Sequence, residues 1–296
     1  MLPVSLYRAA VRSKNGQDTK DMMAEQQSSL NGDTFQRFRA LVYRESGIHL
    51  ADHKRVMVAS RLQKRLSELG LTSFDDYYTL VVGGSNDAEL RVMLDCISTN
   101  QTDFFREPRH FTFLRDHVLP ELAESKAVRI WSAACSSGEE PYSIAMTVVD
   151  TVGVLATRHC RILASDISTR MVATAAAGVY PSARVRSLSQ DLLRRHFLRG
   201  KDAQADLVKV KPHLAEMIVF RRINLMEDRY PIKGLLDVIF CRNVMIYFDR
   251  ATQGRVLARL SQCLKLGGYL FLGHAESMPE ITPEFQYVAP TIYRKQ

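Results

Sequence analysis

From about Asp33 to Asn100 the apolar residues recur at helical spacing. Phe35, Phe38, Leu41 and Val42 fall on one stripe of FQRFRALVYRESG, and Val58, Leu62, Leu66 and Leu69 fall on another within HKRVMVASRLQKRLSELG. FDDYYTLVVGG and AELRVMLDCIS predict two further helices, so residues 33–100 are expected to form a small all-α domain. Residues 1–32 are polar and aperiodic, which predicts a flexible tail. EPRHFTFLRDHVLPELAES predicts a long helical connector within residues 101–127.

From Val128 the period changes. VRIWSA, RILASD, MIVFRRI, LDVIFC and GYLFLGH read as strands, with PYSIAMTVVDTV, STRMVATAAAG and ATQGRVLARLSQCL as helices between them. Such alternation over residues 128–296 predicts a Rossmann-like α/β domain with a doubly wound sheet, and ligands bind such sheets at the carboxyl ends of the strands. The rhythm is broken at about residues 180–218, where a helix (SQDLLRRHFLRG) and a strand (LVKVK) predict an inserted β-subdomain. LVKVK is expected to pair with EMIVF.

Composition narrows the class. A chain of 296 residues, 46% hydrophobic and 24% charged, is ordinary globular material with room for two domains. No apolar run approaches the roughly 18 residues of a membrane span, and the N-terminus lacks a secretory pattern. A cytoplasmic protein is expected. The five cysteines lie far apart without a CxxC pair, which argues against a disulfide framework or a zinc site, and no metal is expected. The net charge of +8 calls for an acidic partner without naming its kind.

The candidate chemistry lies in WSAACSSGEEPYSIAM, a strand, a turn of small residues and a helix. A pyrophosphate cofactor prefers a glycine-rich turn with unopposed backbone donors, and Glu139 and Glu140 would repel it. A ligand with a cationic reactive end has the reverse preference. S-adenosyl-L-methionine carries a sulfonium and an ammonium but no phosphate, so the acidic turn suits it, although acids also simply favour helix N-termini. Asp166, at the end of the next strand, is placed to accept ribose hydroxyls. Asn224 and Leu225 end the third strand, where they either offer an amide and an apolar face to adenine or cap a turn. In DVIFCRNVMIYFD the apolar run breaks into Arg242, Asn243 and Tyr247 at the ligand end of the sheet.

Together these segments resemble the chemotaxis receptor methyltransferases, the CheR family. The likeness rests on STNQTDFFREPRHF (Ser98 to Phe111), WSAACSSGEEPYSIA, ASDIS, INL, IFCRNVMIYFD and GYLFLGHAES, and it covers nearly the whole chain from Asp33. It implies a class I S-adenosylmethionine-dependent methyltransferase fold preceded by an all-α domain. It further implies methyl transfer to glutamate side chains on the cytoplasmic helices of chemoreceptors, with S-adenosyl-L-homocysteine as product. The cofactor residues it implies are Asn100, Thr102, Arg106, Glu140, Asp166, Asn224, Leu225, Arg242 and Asn243, with Glu139 sharing the role of Glu140. In some family members the β-subdomain grips a receptor's C-terminal peptide, here near Leu207 to Val210.

A glutamate carboxylate is ionised at neutral pH, so its attack on a methyl group needs no general base, and positioning is expected from Arg106 and Tyr247. Lys54, Arg61, Lys64 and Arg65 share a helix face opposite the apolar stripe, an expected docking surface for an acidic receptor helix. No contact with nucleic acid is expected, and contact with the membrane only through receptors. Two rivals stand beside this reading, a nucleic-acid methyltransferase and a cofactor-binding scaffold without turnover.

Overall fold

The computed structural model describes residues 30–84, 87–153, 159–276, 278 and 284–296. The described chain divides into two compact units, one with the helices through Arg44 and His49–Ile97, the other with Glu45–Ile48 and Ser98–Gln296. Most of the stretch expected as a tail lies outside the described residues. Leu30, assigned to that tail, is instead buried.

The first unit is built from α1 (Gly32–Ser46), α2 (Arg55–Leu69), α3 (Phe74–Gly83) and α4 (Ala88–Ile97). Their apolar stripes do what the spacing requires: Phe35, Phe38, Leu41, Val42, Val58, Leu62 and Leu66 are buried. Leu69 is not, because it is the last residue of α2 before left-handed Gly70 ends the helix and the stripe runs out. Ser73 caps α3 by accepting the amide of Asp76.

The second unit opens with α5 (Pro108–Phe113), which continues through a π turn (Leu114–Val118) to Glu121. The strands β1 (Val128–Ala133) and β2 (Cys160–Asp166) flank α6 (Glu139–Val152), and α7 (Thr169–Ala177) follows β2. The small strands β3 (Val179–Pro181), β4 (Phe197–Arg199) and β5 (Leu207–Val210) come next, with α8 (Gln190–His196) before β4. Then come β6 (Ile218–Arg222), β7 (Leu236–Cys241), α9 (Arg250–Cys263), β8 (Leu264–Leu272), β9 (Phe285–Ala289) and β10 (Ile292–Lys295). The main sheet runs β6-β2-β1-β7-β8-β10-β9, parallel except at β10, which pairs antiparallel with both β8 and β9. All six residues of β7 are buried, as a strand covered on both faces demands.

The insertion forms a separate sheet, β3-β5-β4, with both pairings antiparallel. The expected pairing of LVKVK with EMIVF does not occur. Pro212 opens a short helical turn over Pro212–Ala215, so β6 leaves in a new direction and joins the main sheet beside β2. The C-terminal pair β9 and β10 was not among the expected strands; it is short, and β9 is largely exposed, so its alternation is faint. Among the described residues no helix is long and apolar enough to cross a membrane.

Candidate active site

The turn after β1 is held open by its backbone. Ser136 has a φ of 49° and Gly138 a φ of 99°. A side chain at Gly138 would meet the Cβ of Ala175 at 2.8 Å and the Tyr180 hydroxyl at 2.9 Å, so only glycine fits. Asp166 fastens the turn to the end of β2, its carboxylate accepting the amides of Ser136 (2.8 Å) and Ser168 (2.9 Å). Ser136 Oγ in turn donates to the carbonyl of Asn100 (2.9 Å), and Phe105 N donates to Ser143 Oγ on α6 (2.9 Å). The segment 100–107 is thereby laid along the turn.

The two glutamates go separate ways, because neighbours on a helix point about 100° apart. Glu140 accepts from Ser132 Oγ at 2.7 Å and from Arg242 Nη1 at 3.0 Å, with its side chain 12% exposed. Burial raises its pKa against the opposing pull of Arg242. Glu139, 1% exposed, takes the Ser137 hydroxyl (2.6 Å) and the Arg184 guanidinium, which also reaches the Thr102 carbonyl and Asp103. The Glu139 carboxylate is thus held in an ion pair on the side of the turn away from Arg242's partner Glu140.

Arg242, with its side chain 1% exposed, extends its other terminal nitrogen to Glu107 Oε2 (2.8 Å) and to the Arg106 carbonyl (2.6 Å). Its guanidinium lies 5.6 Å from the ring centre of Phe111, and its buried Nε has no hydrogen-bond partner among the described residues. Glu107 Oε1 takes Asn243 Nδ2 and the His274 amide, each at 3.2 Å. Burial acts to raise the Glu107 pKa, yet the hydrogen bond and charge of Arg242 prevail and hold it at about 2. Glu276, also buried, accepts the amides of Asn243, Ile246 and Gly273. Four non-glycine residues here are left-handed, Phe105, Glu107, Ser136 and Asn243. Strain of that kind costs about 1–3 kcal/mol per residue and collects at functional sites.

The remaining candidates are placed as follows. Arg106, half-buried, donates to the Gln101 carbonyl at 2.9 Å. Tyr247 sits half-buried in a short helical turn (Met245–Tyr247), and its hydroxyl has no hydrogen-bond partner among the described residues. Asn224 uses its side chain to tie the Glu45 carbonyl (2.6 Å) and to cap the Met226 amide (3.0 Å), so the amide expected to face adenine is engaged within the protein. Leu225 is buried beside Trp131 and Tyr230 in the core cluster behind the site. In the helical unit, Arg65 is paired with Glu89 (2.7 Å) and Glu68 (3.1 Å), and Arg61 bonds the carbonyl of Ile97. The four-residue basic face is therefore reduced. Lys54 and Lys64 stay exposed and have no ion pair among the described residues.

Two independent matches decide the family. A model described as the CheR methyltransferase, SAM binding domain, matches residues 100–294, and one described as the CheR methyltransferase, all-alpha domain, matches residues 33–98. The chain belongs to the CheR methyltransferase family. It is 41% identical over 94% of its length to the chemotaxis protein methyltransferase of Salmonella typhimurium, of which 96% is covered. It is 42% identical to chemotaxis protein methyltransferase 2 of Pseudomonas aeruginosa, over 88% of this chain and 91% of that one. The chemotaxis protein methyltransferase of Borreliella burgdorferi is 36% identical, over 90% and 95%.

The donor set suits the S-adenosylmethionine that such a domain binds. A largely buried carboxylate, Glu140, matched among the described residues by one shared guanidinium, accommodates a ligand with cationic groups and no phosphate. Glu107, His110 and His274 bring donor atoms within 4.8 Å of one another, a spacing that a metal ion spans. Arg242 already engages the Glu107 carboxylate, and its charge opposes a second cation there. Glu107, His274, Glu276 and Arg184 received no role from sequence. The first three lie inside the segments FFRE and GHAES, which carried the resemblance but gave no hint of which carboxylate would turn inward.

Proposed function

We propose that this methyltransferase esterifies glutamate side chains on the cytoplasmic helices of chemoreceptors, a protein-glutamate O-methyltransferase activity within chemotactic signalling. The observation that carries the cofactor side is the Glu140 carboxylate at the mouth of the strand-turn-helix, held by Ser132 and Arg242. S-adenosylmethionine, when bound, supplies an electrophilic methyl group; a glutamate oxygen forms the new C–O bond, and the electron pair of the broken C–S bond stays on sulfur as S-adenosylhomocysteine. No proton moves, so the protein has only to place the reactants.

In this reading Glu140, Asp166, Arg242, Asn243, Asn100, Thr102 and Arg106 surround the cofactor, with Asn224 and Leu225 at its adenine end. Arg106 and Tyr247 orient the acceptor. The Tyr247 hydroxyl has a hydrogen bond to give, and among the described residues the Arg106 guanidinium makes one bond, to a backbone carbonyl, which a carboxylate outcompetes through a charge-assisted pair. The supporting argument for the receptor as partner is the kinship with chemotaxis methyltransferases together with exposed Lys54, just before α2, and exposed Lys64 on it. A receptor C-terminal peptide would use the β3-β5-β4 sheet.

The deciding assay follows radiolabelled methyl from S-adenosylmethionine into receptor membranes and, separately, into RNA. Ester label on the receptor, which alkali hydrolyses and releases as labelled methanol, is expected. Base-stable label on RNA, or binding without transfer, would overturn the reading.

A further inference from the structure

Arg242 stands between two carboxylates, with Nη1 on Glu140 and Nη2 on Glu107. A guanidinium facing a single carboxylate closes on it with two parallel bonds. If Glu107 were neutral, the Arg106 carbonyl would be the remaining anchor of Nη2; a carboxylate outcompetes a carbonyl for a guanidinium, so Arg242 would turn onto Glu140 and occupy the lone pairs that a cationic ligand needs. Glu107 also holds the side chain of Asn243, and its charge persists at all working pH values. Its own left-handed backbone (φ 59°) at the start of α5 fixes the carboxylate in that place.

We propose that Glu107 is a positioning residue for cofactor binding: it draws Arg242 away from a two-bond grip on Glu140 and keeps Asn243 in register. This rests on the reading that Glu140, Arg242 and Asn243 line the cofactor pocket. Glu107 itself is not required to touch the cofactor.

The experiment measures S-adenosylmethionine and S-adenosylhomocysteine affinity by calorimetry, beside melting temperature and steady-state kinetics. Glu107→Gln should weaken both ligands about tenfold and raise KM for the cofactor by a similar factor, with kcat at saturation changed less than threefold. In an Arg242→Lys background, which cannot form the two-bond grip, adding Glu107→Gln should change affinity less than twofold. Glu107→Asp keeps the charge one methylene short and should recover part of the loss. If Glu107→Gln fails to fold, Glu107→Asp carries the test with an expected loss of at least threefold.

A lowered melting temperature with unaltered affinity, a loss that adds fully to that of Arg242→Lys, or wild-type affinity in Glu107→Asp when Glu107→Gln does not fold would overturn the proposal. Unchanged affinity in both Arg242→Lys and Glu140→Gln would instead overturn the pocket reading beneath it.

Discussion

Glu140 and Arg242 meet at 3.0 Å from positions 102 residues apart, and even so burial leaves the carboxyl of Glu140 above its ordinary pKa. A cationic ligand brings a second positive charge to the pair and favours the ionised carboxylate. Cofactor binding should therefore release a proton, and affinity should fall as pH falls through the raised pKa of Glu140. Calorimetry in two buffers of different ionisation enthalpy measures that proton. Glu140→Gln should bind about tenfold more weakly with a flat pH profile; a profile unchanged by the substitution would remove Glu140 from the linkage.

Acid should loosen the catalytic unit in two stages. Burial, aided by the charge of Arg242, lowers His110 from 6.5 to about 4, and Glu107 is held at about 2 against an ordinary 4.5. The depressed base gives stability that is complete above 6.5 and disappears as pH falls toward 4. The depressed acid gives stability that is complete above 4.5 and disappears as pH falls toward 2. Each shift corresponds to about 3 kcal/mol at most. Urea unfolding followed by Trp131, the sole tryptophan and fully buried in β1, should show both stages. His110→Phe should remove the upper one and leave the lower.

Asp166 has a structural duty beside any contact with ribose. Asp166→Ala strands the amides of Ser136 and Ser168, and an unpaired buried donor costs about 1–3 kcal/mol. A stability loss of about 2 kcal/mol by denaturation is expected, together with weaker cofactor binding. Comparing the cofactor with its 2′-deoxy and 3′-deoxy analogues separates the two duties. Wild type should prefer the intact ribose, and Asp166→Asn should discriminate less; equal discrimination in both would leave Asp166 only its backbone role.

Docking is best tested on Lys54 and Lys64, which are exposed and have no ion pair among the described residues. Lys54→Glu combined with Lys64→Glu should slow receptor methylation severalfold and leave cofactor affinity as it was. Arg65→Gln should mainly lower the stability of the helical unit, through its bonds to Glu89. Added salt should slow the wild type more than the double variant, since exposed charges are screened within about 10 Å at 0.1 M. Normal methylation by the double variant would assign docking elsewhere.

The order of helices and parallel strands was legible because burial on one stripe or on both faces leaves a plain period, as in Leu62 and Leu66 or in LDVIFC. The pairing of β5 was not, since LVKVK alternates equally well beside any neighbour and the decision belongs to Pro212 and the turn it starts. The acidic turn was visible as two adjacent glutamates. Their division of labour was not, because it depends on Arg184, 45 residues away, claiming Glu139. The charge of Arg65 likewise counted toward a basic face until Glu89, 24 residues on, neutralised it. Long-range ion pairs carry no local period, so a count of charges along a helix overstates what solvent or a partner meets.

The Tyr180 hydroxyl presses on the space above Gly138 and donates to the carbonyl of Ser137 at 2.7 Å, while Arg184, just past β3, grips Glu139. Two side chains at the root of the three-stranded sheet are thus joined to the acidic turn. A molecule that seats on that sheet and moves Tyr180 would alter affinity at the turn, and thermodynamic reciprocity would return the same factor to its own binding. Through Tyr180 and Arg184, a change at the inserted sheet would then be felt at the acidic turn.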